Sequence, residues 1–309
     1  MAIIAVDIGG TQLRAAVFKN GSEVPYLNKK TTTRGEGSTF DRLCHLIQSV
    51  MIQDEKVEKI IVAAPGPVNP ITGVVSSAPN IPEWTDFPLG PNLSKHFSLP
   101  VKVGNDANLA ALGEWRFGAG KGHNHLIYMT ISTGIGGGVI TDGKLLLGAN
   151  GLAAELGHTT IQPDGPLCSC GQYGHIESFT SGPSIARYVQ EKIAQGAEST
   201  LKNTPSITAK EITSAAADGD KLALDALNRA GTYLGMMLAS FVQIFNPSIV
   251  IFGGGVSLSG KFLFDPMQES LKKHVMDPAY IRDLKIAAAS LSDNAGLMGA
   301  LALGLLPDN

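Results

Sequence analysis

Ile3-Ile4-Ala5-Val6-Asp7-Ile8-Gly9-Gly10-Thr11-Gln12-Leu13-Arg14-Ala15-Ala16-Val17-Phe18 sets two apolar runs on either side of a glycine turn. Both runs have strand length, and a Gly-Gly break between two such runs predicts a β-hairpin, closed here by Asn20-Gly21. A second stretch reads the same way. Leu126 to Ser132 and Gly138 to Thr141 flank the glycine-rich Thr133-Gly134-Ile135-Gly136-Gly137-Gly138, and the second run closes at Asp142-Gly143. Ile8-Gly9-Gly10 aligns with Ile135-Gly136-Gly137, although the two hairpins differ in length. Alternating strands and helices follow each hairpin, which predicts an α/β fold with a trace of internal duplication.

Moving outward, helical periodicity covers residues 40–52, 107–116, 183–195, 208–218, 220–245, 260–274 and 293–304. Short apolar runs at 59–64, 101–104, 249–252 and 284–288 read as strands. No Pro/Ser linker divides the halves, so two packed lobes are expected. The boundaries expected are 1–115 plus 293–309 for a small N-terminal lobe, with 116–292 as the large one. The last helix returns to the first lobe.

Composition narrows the classes of function. With 309 residues, 44% hydrophobic and 17% charged, the chain can bury a substantial core. Its net charge of −3 and the absence of a basic run argue against a nucleic-acid partner. Three cysteines fit a reducing compartment better than a disulfide scaffold. Asp7 interrupts the N-terminal apolar run, unlike a signal peptide. The longest apolar region, Leu234 to Phe252, is broken by Gln243, Asn246 and Pro247, so it reads as buried helix and strand rather than a membrane span. A cytoplasmic protein is expected.

Three sets of residues carry chemistry. In the first turn, Gly9, Gly10 and Thr11 can present backbone N–H groups and a hydroxyl to phosphate oxygens. Asp7 beside a polyphosphate needs a cation between the two, which suits a Mg²⁺ ligand, directly or through water. Thr133, Gly134, Gly136 and Gly137 offer the same chemistry from the second turn. Each turn alone also reads as a plain tight hairpin; together they favour a nucleotide clamp. Gly253-Gly254-Gly255 reads as a turn against an adenosine or simply as a tight turn. Gly255 to Phe262 nearly spells a P-loop, but Phe262 stands where the Mg²⁺-binding hydroxyl belongs, so that reading is rejected.

Asn105-Asp106, at a strand end and a helix start, reads either as a helix N-cap or as a general base taking a hydroxyl proton in phosphoryl transfer. Asn80, Glu155, His158 and Glu177 are further candidates for holding hydroxyls, an inventory that suits a polyol. The third set is Glu155-Leu-Gly-His158 followed by Cys168-Ser-Cys170-Gly-Gln-Tyr-Gly-His175-Ile-Glu177. Cys168, Cys170, His175 and His158 can close a tetrahedral structural zinc site. They also read as two reduced thiols and two surface histidines, and C-x-C spacing alone does not decide between these.

Assembled, these residues resemble the ROK family (repressors, open reading frames, sugar kinases) of the actin-like ATPase superfamily. The likeness runs from Asp7-Ile-Gly-Gly-Thr11 through Gly104-Asn105-Asp106-Ala-Asn108, Thr133 to Gly138, Glu155-Leu-Gly-His158 and the cysteine loop to Gly253-Gly-Gly255. It implies two ribonuclease-H-like lobes with an interlobe cleft that closes over ATP·Mg²⁺ and a hexose, phosphate passing to the sugar 6-hydroxyl. A glucokinase is the leading expectation, with kinases for fructose, allose or N-acetylmannosamine as alternatives. By matching positions, Asp106 would be the catalytic base. Asn80, Asn105, Glu155, His158 and Glu177 would hold the sugar, and Gly66 would line its pocket. His158 would serve both zinc and sugar. A homodimer or tetramer is implied. The family's third loop cysteine is replaced by His175, so zinc would sit in a Cys₂His₂ set. A sugar-sensing regulator, the family's other branch, calls for an N-terminal helix-turn-helix that this sequence is not expected to carry.

Overall fold

The computed structural model describes residues 2–19, 22–52, 55–78 and 80–307; the expected Asn20-Gly21 turn lies outside them. The first stretch of chain forms β1 (Ala2–Ile8), β2 (Gln12–Lys19), β3 (Leu27–Thr32), α1 (Thr39–Val50) and β4 (Val57–Ala64). Next come β5 (Val68–Asn69), β6 (Val74–Ser77), β7 (Thr85–Phe87), α2 (Leu89–Phe97), β8 (Val101–Asn105) and α3 (Asp106–Phe117). The middle holds β9 (Leu126–Ile131), β10 (Ile135–Thr141), β11 (Lys144–Leu145), α4 (Glu177–Thr180) and α5 (Gly182–Ala194). The last stretch holds α6 (Ala209–Ala217), α7 (Lys221–Phe245), β12 (Ile249–Gly253), α8 (Lys261–His274), β13 (Lys285–Ala288) and α9 (Ala295–Gly304).

Both expected hairpins form, and the duplication is plain in the sheets. One sheet runs β3-β2-β1-β4-β8 and another β11-β10-β9-β12-β13, so each places its own strands in the order 3-2-1-4-5. In the first sheet, β1 pairs antiparallel with β2 (Ile8 opposite Leu13) and parallel with β4, which is parallel to β8. In the second, β12 lies parallel to both β9 and β13. This mixed α/β arrangement is the ribonuclease-H-like, actin-like ATPase architecture that the resemblance implies. Contacts divide the chain into a first unit of Met1–His123, Gly138–Ala154 and Ala289–Asn309, and a second of Asn124–Gly137 and Glu155–Ala288.

Strand β1 is covered on both faces, which explains why it reads as a continuous apolar run rather than an alternating one. Ile4, Val6 and Ile8 point into a core with Leu43, Leu46, Ile47 and Val50 of α1, the i, i+3, i+4, i+7 stripe of that helix. On the other face lies α9, where Gly304 approaches Ile3 and Ile61. Buried on nearly every side, α9 is apolar all round. Cutting Leu43 to Ala would cost about 2–5 kcal/mol. The sequence reading did not anticipate β3, α2 or the small antiparallel sheet β5-β6-β7, whose core is Trp84 stacked on Phe87 with ring centroids 5.0 Å apart. Among the described residues, no helix is long and apolar enough to cross a membrane.

Candidate active site

In the first unit, β1 delivers Asp7 to the glycine turn, which is closed by the Gly9 N–H donating to the Gln12 carbonyl at 2.9 Å. The Asp7 carboxyl packs on the first turn of α9, so close that a Cβ at Gly296 would lie 2.4 Å from Oδ1. Burial pushes its pKa up to about 6, although Arg14 nearby pulls it down. A carboxylate desolvated this far fits a bound cation, which would restore its charge. Asn80 lies against the same turn, its Nδ2 2.8 Å from where a Cβ of Gly10 would be. Thr11 is exposed at the tip.

The β8–α3 junction separates the two readings of Asn105-Asp106. Asn105 is the N-cap: its Oδ1 accepts from the Asn108 N–H at 3.0 Å. Its Nδ2 donates to the Gly66 carbonyl at 3.0 Å. Gly66 has φ +81°, and a Cβ there would fall 1.9 Å from the Ser77 carbonyl oxygen, so only glycine serves. Asp106, relieved of capping, opens the helix with Oδ1 accepting from the Ala107 N–H at 2.7 Å. Asn108 is nine-tenths buried, and its Oδ1 has no hydrogen-bond partner.

In the second unit, the turn Ser132–Gly134 between β9 and β10 and the strand end at Gly253–Gly255 approach one another. At Gly254 (φ +82°) a Cβ would lie 2.3 Å from the Ile131 carbonyl oxygen. Thr133 and Gly255, with Ser132 and Val256, line a cavity of about 530 Å³. Its other walls are Gly182, Pro183, Ala186 and Gln190 of α5 and the run Ile207-Thr208-Ala209-Lys210. The cavity can take a nucleoside-sized ligand. Sequence reasoning missed these α5 and α6 residues, which read as ordinary amphipathic helix. Gly134 and Gly254 shape the turns without lining the cavity, whereas Gly136 and Gly137, expected in the turn, lie within β10, Gly137 packed on Leu156. Gly255–Ser259 forms a 3-10 turn rather than a P-loop.

The cysteine loop gathers its four candidate ligands. Antiparallel bridges Thr160–His175 and Leu167–Tyr173 fold the chain back on itself, and Cys168 donates its N–H to the Gln172 carbonyl at 2.8 Å. The Glu155-Leu-Gly-His158 turn closes through the His158 N–H to the Glu155 carbonyl at 3.1 Å. Glu155 is exposed and His158 half-buried. The ligand atoms of His158, Cys168, Cys170 and His175 lie within 4.8 Å of one another. His158 Nδ1 is 3.6 Å from Cys168 Sγ, and His175 Nδ1 is 3.3 Å from Cys170 Sγ. A zinc tetrahedron with ordinary bond lengths has S···N edges of ~3.5 Å, so the donor set fits. Burial, and then His158, lowers the His175 pKa toward the neutral ligating ring. Burial raises the Cys168 thiol to about 11, a cost that a metal reverses. With Nδ1 facing Cys168, His158 has Nε2 as its second functional atom.

Glu177 is buried and ties two of these parts together. Its Oε2 accepts from the Ile135 N–H at 2.9 Å, and its Oε1 accepts from Ser169 Oγ at 2.5 Å and Cys168 Sγ at 3.4 Å.

Comparison with known proteins agrees with this picture. A sequence profile described as the ROK family matches residues 3–305. A glucokinase of Thermotoga maritima is 36% identical, across 98% of this chain and 97% of its own. The ROK family glucokinase of Streptomyces griseus, solved with glucose and AMPPNP, superposes with a TM-score of 0.81 at 36% identity, covering 98% of this chain and 99% of its own. A xylose repressor of Caldicellulosiruptor bescii is 30% identical over 98% of this chain, which spans 77% of the repressor.

Proposed function

The chain belongs to the ROK family, and we propose that it is an ATP-dependent hexose kinase acting on the sugar 6-hydroxyl, with glucose the first substrate. One observation carries the reading: full-length likeness to glucokinases, one of them solved with glucose and AMPPNP, together with Asp106 opening α3 just beyond its cap.

In this reading the lobes are 1–115 with 293–309, and 116–292. Asn80, Asn105, Glu155, His158 and Glu177 hold the sugar hydroxyls and Gly66 lines the pocket, Asn105 being fixed by its bond to the Gly66 carbonyl. The cavity lined by Thr133, Gly255, Gln190 and Lys210 takes the nucleoside of ATP, and Gly9, Gly10 and Thr11 would donate to phosphate oxygens. Gly134, Gly136, Gly137 and Gly254 hold the backbone of that site in shape. Asp7 would hold Mg²⁺, which neutralises charge on the β- and γ-phosphates. The sugar O6 attacks the γ-phosphorus; the O6–P bond forms, the bond to the bridging oxygen breaks, and ADP leaves. Asp106 receives the O6 proton as the new bond forms. His158, Cys168, Cys170 and His175 would hold a structural zinc. His158 then presents Nε2 toward the sugar.

The test is ADP release from ATP·Mg²⁺ with glucose, mannose, fructose, allose, N-acetylglucosamine and N-acetylmannosamine in turn. Turnover with glucose far above the rest is expected. Turnover with another hexose alone would move the substrate assignment, and turnover with none would overturn the kinase reading.

A further inference from the structure

The loop that follows β3 holds the back of the first glycine turn. Thr33 is buried; its N–H donates to the Thr11 carbonyl at 3.1 Å, and its Oγ1 donates to the Gly10 carbonyl at 3.1 Å. Gln12 lies opposite Thr32, so Thr11 and Thr33 are the next pair along the β2–β3 ladder. An antiparallel pair joined in this way normally exchanges two bonds, the second running from the Thr11 N–H to the Thr33 carbonyl. That second bond is not made: among the described residues the Thr11 N–H has no acceptor. The Thr33 carbonyl is taken instead by Arg42 Nη2, from the first turn of α1. The rest of the Arg42 fork is turned onto the same loop. Nη1 donates to the carbonyls of Gly35, Glu36 and Gly37 at 3.1, 2.8 and 2.7 Å, and Nη2 also donates to Thr39 Oγ1 at 3.1 Å. Thr39 Oγ1 in turn donates to Glu83 Oε1 at 2.6 Å. Arg42 Nε is buried and has no partner among the described residues, a penalty that an arginine serving only as a surface charge would not carry.

We infer that Arg42 is a positioning residue for phosphate binding: by drawing the Thr33 carbonyl out of the ladder, it leaves the Thr11 N–H open as a donor at the tip of the turn. Peptide geometry fixes where that donor points. In a trans peptide the C=O and N–H are antiparallel, and the Gly10 carbonyl shares its peptide with the Thr11 N–H. Thr33 Oγ1 draws that carbonyl toward the loop, so the N–H faces the other way. Arg42 meanwhile occupies the one backbone acceptor that the N–H would meet if the peptide turned back. Without the guanidinium, the Thr33 carbonyl is an unpaired buried acceptor that competes for the Thr11 N–H, and the peptide is free to rejoin the ladder. The phosphate then loses a donor. Arg42 acts through Thr33 and Thr11 and touches no ligand itself. This role depends on the turn meeting the phosphates of ATP, as in the kinase reading.

The experiment is calorimetric titration of AMPPNP with Mg²⁺ and, separately, of adenosine into wild type, Arg42→Met, Arg42→Lys and Arg34→Ala, with the melting temperature measured on each. Methionine keeps much of the stem and none of the donors; lysine keeps the charge but not the fork. AMPPNP affinity is expected to fall about tenfold in Arg42→Met and nearly as far in Arg42→Lys, with adenosine affinity within about twofold of wild type. Arg34 is exposed one residue past Thr33, and Arg34→Ala is expected to bind AMPPNP within about twofold of wild type. A lowered melting temperature with the ratio of the two affinities unchanged would make Arg42 a loop staple and overturn the positioning role. Full affinity in Arg42→Lys would overturn it in favour of charge alone, and a tenfold loss in Arg34→Ala in favour of a direct contact from the loop. Should both Arg42 variants fail to fold, amide hydrogen exchange in wild type decides. The Thr11 N–H is expected to exchange freely without ligand and to be protected by AMPPNP; equal protection in both states would overturn the role. Wild type that binds no AMPPNP would overturn the kinase reading itself, and the role of Arg42 with it.

Discussion

Asn105 and Asp106 divide between them two jobs that the sequence offered to the pair. The cap falls to Asn105, whose carboxamide bonds the Asn108 N–H and the Gly66 carbonyl. The carboxylate beside it keeps one oxygen on the Ala107 N–H. Asp106→Asn should therefore leave the helix start intact. The variant is expected to melt within about 1 kcal/mol of wild type, to bind glucose, and to lose at least about 10²-fold in kcat. Retention of a tenth of the wild-type rate would remove Asp106 as the base. Asp7 makes a different statement, one about pH. Folded, it holds its proton to about pH 6, against 3.8 for an unperturbed aspartate. Between these values the folded state binds more protons than the unfolded one, so stability from this group is lost as pH rises through the window. In buffer without divalent cations, Asp7→Asn should melt roughly 3 °C above wild type at pH 7.5, the difference closing by pH 4. Equal melting at both pH values would mean that the carboxylate is not desolvated as its burial against α9 requires.

Elements differ in how clearly their sequences announce them. Helix α7 spans 25 residues and was readable from end to end, because a long periodic stripe averages out local exceptions. Strands β5, β6 and β7 have two, four and three residues, too few to display an alternation, and they exist because Trp84 and Phe87 give them a core. The cysteine loop was visible as a set of ligands, but its folding depends on two isolated bridges that no spacing rule encodes. Glu114, in α3, gave no signal at all. Wholly buried, it accepts from the Ser290 and Leu291 N–H groups at 2.8 Å with one oxygen, and from the Ala119 N–H at 2.8 Å with the other. It thus binds the end of α3 to the loop that follows it and to the segment leading into α9. Glu114→Ala would strand three backbone donors and should cost about 3–5 kcal/mol, read as a lowered urea midpoint with unchanged m-value. A loss under 1 kcal/mol would mean that water replaces the carboxylate.

Over the whole molecule, the order 3-2-1-4-5 occurs twice, and each time a glycine turn joins the first two strands. That repetition was legible only as Ile8-Gly9-Gly10 against Ile135-Gly136-Gly137, since strand order depends on pairings far apart in sequence. The two copies have also acquired different equipment. The first carries the carboxylates Asp7 and Asp106; the second carries the cavity beside Thr133 and the cysteine loop. A loop of Gly171, Gly174 and exposed Tyr173 buries little apolar surface, so something other than a core must order it. Four donors within 4.8 Å supply that alternative if zinc is present, because binding free energy at a closed site becomes folding free energy. Protein purified without chelator is expected to hold one zinc per chain by elemental analysis. Cys168→Ser should release it and lower the melting temperature, whereas His175→Cys, which keeps four zinc ligands, should retain it. Zinc-free protein that melts at the same temperature before and after metal addition would leave Cys168 and Cys170 as reduced thiols, ordered by Glu177 and the two bridges alone.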